Sequence, residues 1–174
     1  GKAIMDGNIK SLDQKVADFF FELKGKYAKE VTVGDLSSMA SGLSWDEKYY
    51  SPFSIVTRAY FDDNLKEIIL GLNIKNKPGQ SFEYLSGATQ LLAMCVEKAT
   101  GKYLSDYVSD SFWKPMGAEN EALWQLDEAD TGIEKAYCCI ASNARDFARF
   151  GKLYKQNGKW NGKQILDSAF IAKS

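Results

Sequence analysis

The sequence predicts a mainly α domain with at most a short β-hairpin, on three observations. Apolar residues recur at helical spacing over one long stretch, between positions 88 and 99. Helix-capping residues stand before several other apolar runs. Only residues 121–141 show a weak alternation, which indicates a hairpin or an irregular crossing. A length of 174 residues suits one hydrophobic core, so we treat residues 1–174 as a single domain.

The N-terminal third contains two capping boxes. Ser11 and Gln14 form an S-x-x-Q box and predict a helix with five apolar residues on one face, namely Leu12, Val16, Phe19, Phe20 and Leu23. Thr32 and Asp35 form the second box and predict a short helix. The aromatic-rich stretch 43–62 lacks clean periodicity, which favours a packed loop with at most a short helix.

The remaining residues predict helices separated by glycine-containing turns. The longest helix begins just after Tyr84 and stops at Gly101, since glycine commonly follows the last helical residue. Its apolar face is formed by Ala88, Leu91, Leu92, Cys95, Val96 and Ala99. Further helices are predicted over 65–72 and 105–113, from Ser142 or Asn143 onward, and from near Asp167, with turns at Asn157-Gly158 and Asn161-Gly162.

Composition excludes several classes of function. The chain has no histidine, so it cannot by itself build a Ser-His-Asp triad, a Cys-His pair or a histidine zinc site. A base must therefore be lysine, tyrosine or a carboxylate. The net charge of −1 comes from interspersed acids and lysines and gives no electrostatic reason to expect nucleic acid or an anionic membrane as partner. No apolar run is long enough to span a bilayer.

The three cysteines do not form a recognisable framework. Cys95 lies within the apolar pattern of the longest helix, so we interpret it as a core residue. Cys138 and Cys139 are adjacent, and nothing nearby in sequence lowers a thiol pKa, which favours a structural over a redox role. No CxxC spacing indicates a metal, and we predict neither a metal nor a cofactor. The chain begins at Gly1 without methionine, and we interpret it as a processed or excised piece.

Four segments, in order, resemble serine β-lactamase-like hydrolases. Residues 31–43 (VTVGDLSSMASGL) resemble the family's T-x-x-x-L-L-x-H-x-S-G-L segment. Residues 82–87 (FEYLSG), with the long helix after them, resemble its F-x-Y-S-N motif. Residues 114–117 (KPMG) match its P-L-G, and residues 141–151 (ASNARDFARFG) resemble its S-T-A-x-D-L-A-R-F-G segment. The nearest branch contains class C β-lactamases, esterases and 6-aminohexanoate-dimer hydrolases.

The resemblance implies that the chain is the helical region of an α/β serine β-lactamase-like fold, and an internal fragment of it. In that family a serine in an S-x-x-K motif forms a covalent acyl-enzyme. The resemblance places that motif before Ala3–Ile9, and the K-T-G or H-x-G strand beyond Ser174, so we expect this chain to lack both and to be inactive alone. Relatives are commonly exported or periplasmic.

By the same resemblance, Tyr84 matches the tyrosine that moves protons between nucleophile, lysine and leaving group. Ser86 stands where many relatives carry asparagine, and its single short donor favours ester or amide hydrolysis over strong β-lactamase activity. Trp45, Tyr50 and Tyr60 are candidates for an aromatic wall around an acyl group, although aromatic clusters more often form core. Asp146 and Arg149 are interpreted as helix-terminal and surface charges.

Alternative interpretations stay open. Tyr84 is otherwise a buried tyrosine at a loop-to-helix junction, and Ser86 an N-cap for the helix. The predicted function is a serine hydrolase of an ester, amide or β-lactam small molecule. The alternatives are a non-catalytic relative that binds peptide or cell-wall ligands, and a helical interaction domain with an accidental resemblance. Apolar faces that would pack on missing parts of the fold also predict self-association.

Overall fold

One helix, α5 (Ser86–Thr100), lies at the centre of the molecule in the computed structural model, which describes residues 1–174. Three short helices before it in the chain pack against it: α1 (Lys2–Met5), α2 (Val33–Ser37) and α4 (Leu65–Leu70). Helix α3 (Ile55–Phe61) contacts α4, and α6 (Leu104–Val108) returns onto α5. Because α5 is buried along its N-terminal half, it organises the main core of twenty buried residues.

The C-terminal part adds a second, smaller core. Helix α7 (Ala144–Lys155) packs on the hairpin of β3 (Lys159–Trp160) and β4 (Lys163–Gln164), and α8 (Ser168–Ile171) follows. A separate antiparallel pair joins β1 (Leu123–Trp124) to β2 (Ile140–Ala141), which confirms the hairpin predicted within 121–141. The β3–β4 hairpin was not predicted, because two-residue strands are too short to show alternation. The mainly helical prediction is confirmed.

Most helix boundaries follow the capping signals. The Thr32–Asp35 capping box is present in both directions: Asp35 N–H donates to Thr32 Oγ1 (3.0 Å) and Thr32 N–H to Asp35 Oδ2 (2.9 Å). Asn143 caps α7, and Gly101 ends α5 in the left-handed region at φ 67°. The helix predicted over 105–113 divides into α6 and a π-helical turn, Ser109–Trp113.

The helix predicted from Ser11 is wrong. Only one 3-10 turn, Val16–Asp18, forms in this segment. The backbone instead pairs with residues 31–33: Val16 N–H donates to Val31 O (3.0 Å) and Val33 N–H to Gln14 O (2.9 Å). These long-range hydrogen bonds occupy groups that a helix would use, while Val16 and Phe20 still reach the core.

Two glutamates hold the start of α6. Glu97 Oε1 accepts the N–H of Leu104 (3.2 Å), and Glu134 Oε1 accepts the N–H of Ser105 (2.8 Å). Burial raises the pKa of Glu97 to about 7, with the neighbouring Glu134 carboxyl adding to the rise. The pKa of Glu134 is lowered, since hydrogen bonds from Ser105 and Glu97 outweigh its burial. Glu97 is therefore partly protonated near neutral pH, which limits the repulsion between the two carboxyls.

Asp146 lies in the first turn of α7, as expected of a helix-terminal charge, but it is fully buried, so its interpretation as a surface charge is wrong. Its carboxylate accepts hydrogen bonds from the backbone N–H groups of Glu119 (2.9 Å) and Asn120 (3.1 Å). Asn143 Nδ2 (2.6 Å) and Arg149 Nε (3.0 Å) also donate to it. The carboxylate thus holds residues 119–120 against α7. These hydrogen bonds lower the pKa of Asp146, and the one from the backbone N–H of Glu119 contributes most.

We expect D146N to lower the melting temperature at pH 7 by roughly 5 °C or more. The asparagine NH2 group would face N–H donors that now bond to the carboxylate, and those donors would lose their acceptor. A lowered folded-state pKa gives stability that is present above the unfolded value of 3.8 and is lost as pH falls. The difference in melting temperature between wild type and D146N should therefore become smaller below about pH 4. Differential scanning calorimetry measures this, with D63N on an exposed carboxylate as control; a gap that widens in acid would contradict it.

Candidate active site

Tyr84 lies in an extended segment that leads directly into α5. The N–H of Glu83 donates to the carbonyl of Met39 (2.7 Å), which fixes the backbone on one side of Tyr84. Leu85 is 2% exposed and anchors the other side in the core. Since neighbouring side chains in an extended segment point in opposite directions, Tyr84 points outward and is 58% exposed. The interpretation of Tyr84 as a buried tyrosine is therefore wrong, although it does stand at the loop-to-helix junction.

A cavity of about 360 Å³ opens beside the Tyr84 side chain. Its wall is largely aromatic and includes Tyr49, Tyr60, Phe61, Tyr84 and Tyr137, together with Ser86. An apolar wall with a few hydroxyl groups is typical of a small-molecule site. A larger cavity of about 680 Å³ lies between the α6 region and β1, and none of these residues lines it.

Ser86 is the first residue of α5 and is 4% exposed. Its interpretation as the N-cap is wrong, because Leu85 holds that position and has no side-chain acceptor. The hydroxyl of Ser86 donates to Glu47 Oε2 (3.2 Å), and its backbone N–H donates to Glu47 Oε1. Ser86 thus lines the cavity with its hydroxyl hydrogen directed at Glu47.

The predicted aromatic residues occupy different places. Tyr60 is 40% exposed at the cavity, with Lys135 Nζ 5.0 Å from its ring centroid and donating to its carbonyl (2.6 Å). Tyr50 is 85% exposed and does not line the cavity. Trp45 is 6% exposed and packs behind the site, 6.5 Å from the ring of Tyr137. The substrate-binding roles of Ser86, Trp45 and Tyr60 stay predictions.

The segment around Tyr137 is brought to the cavity by a buried amide on α5. Gln90 Nε2 donates to Glu134 O (2.9 Å), and Ala136 N–H donates to Gln90 Oε1 (2.7 Å). Tyr137 then donates from its hydroxyl to Ala59 O (3.0 Å), and burial raises the pKa of Tyr137 to about 12. Its phenol is therefore a fixed neutral donor at ordinary pH.

Cys138 lines the same cavity and is joined to Cys139 by a disulfide between adjacent residues. Cys139 has a φ of 73°, and its carbonyl accepts the N–H of Gln125 (3.1 Å) just before β2 begins. The sequence did not predict this disulfide. Cys95 is fully buried, as expected for a core residue, and burial raises the pKa of its thiol to about 12.

One S-x-x-K spacing occurs within the chain, at Ser111–Lys114. The expectation that the family's own motif lies before Ala3 stays a prediction. The Ser111–Lys114 spacing lies at the π-helical turn after α6, and neither residue lines the Tyr84 cavity. Lys114 is exposed and bonded to Asp110 Oδ1 (2.8 Å), which raises the pKa of the lysine. An exposed lysine held as a cation cannot act as the base that activates a serine.

Tyr49 and Glu47 are site residues that sequence reasoning missed. Both follow Trp45 within an aperiodic loop, so no spacing signal marks them. Tyr49 lines the cavity with Tyr84, and Glu47 contacts Ser86 from 39 positions away in the chain. Only folding brings them to the start of α5.

Residues 3–173 match the Beta-lactamase family. The chain belongs to this family. A 6-aminohexanoate-dimer hydrolase of Paenarthrobacter ureafaciens is 26% identical over 182 residues, which cover 98% of this chain and 45% of that protein. The beta-lactamase-family chain therefore spans less than half the length of this curated relative.

Solved structures share the fold over nearly the whole chain. A Bacillus anthracis protein provisionally named a 6-aminohexanoate-dimer hydrolase superposes with a TM-score of 0.76 at 26% identity, over 98% of this chain and 47% of its own. An octameric penicillin-binding protein homologue from Pyrococcus abyssi gives a TM-score of 0.71 at 21% identity, over 99% and 44%. These matches confirm the resemblance predicted from the four sequence segments. No helix of this chain is both long and apolar enough to cross a bilayer.

Gly87 gives a first test of how Trp45 supports the site. A Cβ added at Gly87 would lie 2.5 Å from Trp45 Cε3 and 2.8 Å from Cδ2, so G87A must displace the indole ring. We expect G87A to lower the free energy of unfolding by ~1–3 kcal/mol, a typical cost of overpacking. G151A on α7 is the matched control, since no heavy atom lies within 4 Å of its added Cβ. Urea unfolding measures both, and equal effects would refute the contact.

Proposed function

We propose that this chain forms the tyrosine-bearing wall of a serine hydrolase that cleaves a small ester or amide through an acyl-enzyme. The observation that supports it is the position of Tyr84, exposed at an aromatic cavity and fixed on both sides by Met39 and Leu85. Membership of the Beta-lactamase family supports the acyl-transfer class. The nucleophile would lie in the longer protein, because the only S-x-x-K here is away from the cavity.

Tyr84 would act as the proton carrier. A free phenol has a pKa near 10, so a tyrosine acts as a base at neutral pH only if a nearby cation favours the phenolate. The lysine of the family's S-x-x-K would supply that charge in the longer protein. Tyr84 would then accept the proton of the serine hydroxyl during attack on the carbonyl carbon. It would return the proton to the leaving alcohol or amine.

The aromatic wall suits the apolar part of an acyl or amine chain. Tyr60 and Phe61 stand at the cavity with their rings 5.0 Å apart, and Tyr137 and Tyr49 supply phenol groups. A serine at position 86, with its hydrogen directed to Glu47, offers no amide donor to a lactam side chain. Ester and amide substrates are therefore favoured over β-lactams. The name of the Paenarthrobacter relative, a hydrolase of the 6-aminohexanoate dimer, agrees with amide hydrolysis.

The isolated chain should form no covalent adduct with a serine-directed acylating reagent, because no serine lies beside a neutralised lysine. Intact-mass measurement after incubation with a fluorophosphonate tests this. A single stoichiometric adduct would place a nucleophile within residues 1–174 and would contradict the proposal that the nucleophile lies elsewhere in the longer protein.

Y84F in the longer protein should lower kcat for a p-nitrophenyl ester by ~10²–10³, since positioned proton transfer contributes that much. Y103F is the matched control, because Tyr103 is also 58% exposed but lines a different surface. Its kcat should stay within about 2-fold of wild type. Equal activity of Y84F and Y103F would refute the role of Tyr84. Retained ligand binding without hydrolysis in the wild-type longer protein would instead favour a non-catalytic binding relative.

A further inference from the structure

We propose that Glu47 is the positioning residue of the Tyr84 site: its carboxylate joins the loop of residues 45–49 to the first turn of α5. The catalytic meaning of this assignment rests on the proposed function. Its structural content, which concerns Ser86 and Tyr49, can be tested on the chain alone. No signal in the sequence marks Glu47, and its role follows from three contacts.

The first contact supplies a missing helix cap. Serine, threonine, asparagine and aspartate are the usual N-caps because their side chains accept a free backbone N–H. Helix α5 has Leu85 there instead, since the leucine is needed in the core, and so its first turn has no side-chain acceptor from the N-cap. Glu47 replaces it from across the fold, with Oε1 accepting Ser86 N–H and Oε2 accepting the Ser86 hydroxyl (3.2 Å). A negative charge at this end of α5 also interacts favourably with the helix dipole.

The second contact locks the loop to the helix. The indole Nε1 of Trp45 donates to Glu47 Oε1 (3.0 Å), and the indole ring lies directly against Gly87. Ser86 and Gly87 are therefore held at once, one by the carboxylate and the other by the ring. Tyr84 precedes this pair by two residues and is held on its other side by the Glu83–Met39 hydrogen bond. The backbone that carries Tyr84 has little freedom left.

The third contact concerns the second phenol of the cavity. The N–H of Tyr49 donates to the carbonyl of Glu47 (3.0 Å), and the nearby Glu47 carboxylate raises the pKa of Tyr49. Glu47 thus keeps Tyr49 protonated, as a neutral hydrogen-bond donor beside Tyr84. The carboxylate already accepts from Ser86 and Trp45, so it holds the site in place and does not serve as a free anion for substrate.

Measurements on the 174-residue chain test the structural content, with D46N as matched control, because Asp46 is the adjacent carboxylate and pairs only with Lys48 (3.3 Å). In E47A, amide hydrogen exchange at Ser86 should accelerate at least ~10-fold, since its acceptor is lost. E47Q keeps an acceptor oxygen and should restore protection to within about 3-fold of wild type. Titration of ring-labelled tyrosines by NMR should show the Tyr49 pKa falling in both Glu47 variants. In D46N the Ser86 exchange rate and the Tyr49 pKa should match wild type.

Kinetics of the longer protein test the catalytic meaning. E47A should lower kcat for the ester at least ~10-fold while KM stays within about 3-fold, because a misplaced proton carrier slows chemistry more than binding. E47Q should recover most of kcat, whereas D46N should stay within about 2-fold of wild type.

Two outcomes would overturn the inference. One is an E47A variant whose Ser86 exchange rate and Tyr49 pKa both match those of D46N. The other is equal kcat values for E47A and D46N. If E47A does not fold, E47Q decides: unchanged NMR shifts of the Ser86 N–H and the Trp45 indole N–H, which both donate to the Glu47 carboxylate, would refute the contact. If the wild-type longer protein does not hydrolyse the ester, the proposed function is refuted. The exchange and titration measurements on the 174-residue chain then still test the contacts of Glu47.

Discussion

The rest of the structure depends on the burial of the N-terminal half of α5. Its apolar face, with Leu91 and Cys95 fully buried, is the surface on which α1, α2, α4 and α6 pack. Burial on this scale requires that every polar group of the half-helix finds a partner inside the protein. Most of the hydrogen bonds described around the cavity are the ones that give the polar groups of α5 their partners.

Two of those partners also shape the cavity. Gln90, 1% exposed, satisfies both ends of its amide on the backbone of residues 134–136, and so delivers Tyr137 and Cys138 to the cavity wall. Glu47 accepts the N–H of Ser86 and, through its carbonyl, positions Tyr49 at the same cavity. The site is therefore assembled by the same hydrogen bonds that allow α5 to be buried. This explains how short, irregular segments can present side chains in fixed positions.

In this chain without histidine, carboxylates hold several of these segments in place by accepting hydrogen bonds. Asp146 fastens residues 119–120 to α7, and Glu97 with Glu134 holds the start of α6. Each accepts hydrogen bonds from backbone N–H groups that have no helical partner. Their pKa values move in opposite directions because burial dominates at Glu97 and hydrogen-bond donors dominate at Asp146.

The sequence by itself determined the helical class, the long helix between Tyr84 and Gly101, the Thr32 cap and the family, because these signals are local spacings or ordered motifs. It narrowed the cap of α7 to Ser142 or Asn143, and the structure decided for Asn143. It also marked Tyr84, which the fold places at an aromatic cavity. Only tertiary structure decided that residues 14–16 pair with 31–33, so that 11–23 do not form the predicted helix, and that Trp45 packs behind the cavity. It alone brought Glu47 to Ser86. The Glu47–Ser86 contact joins residues 39 positions apart, and the free energy of such contacts comes from burial, which no local sequence pattern records.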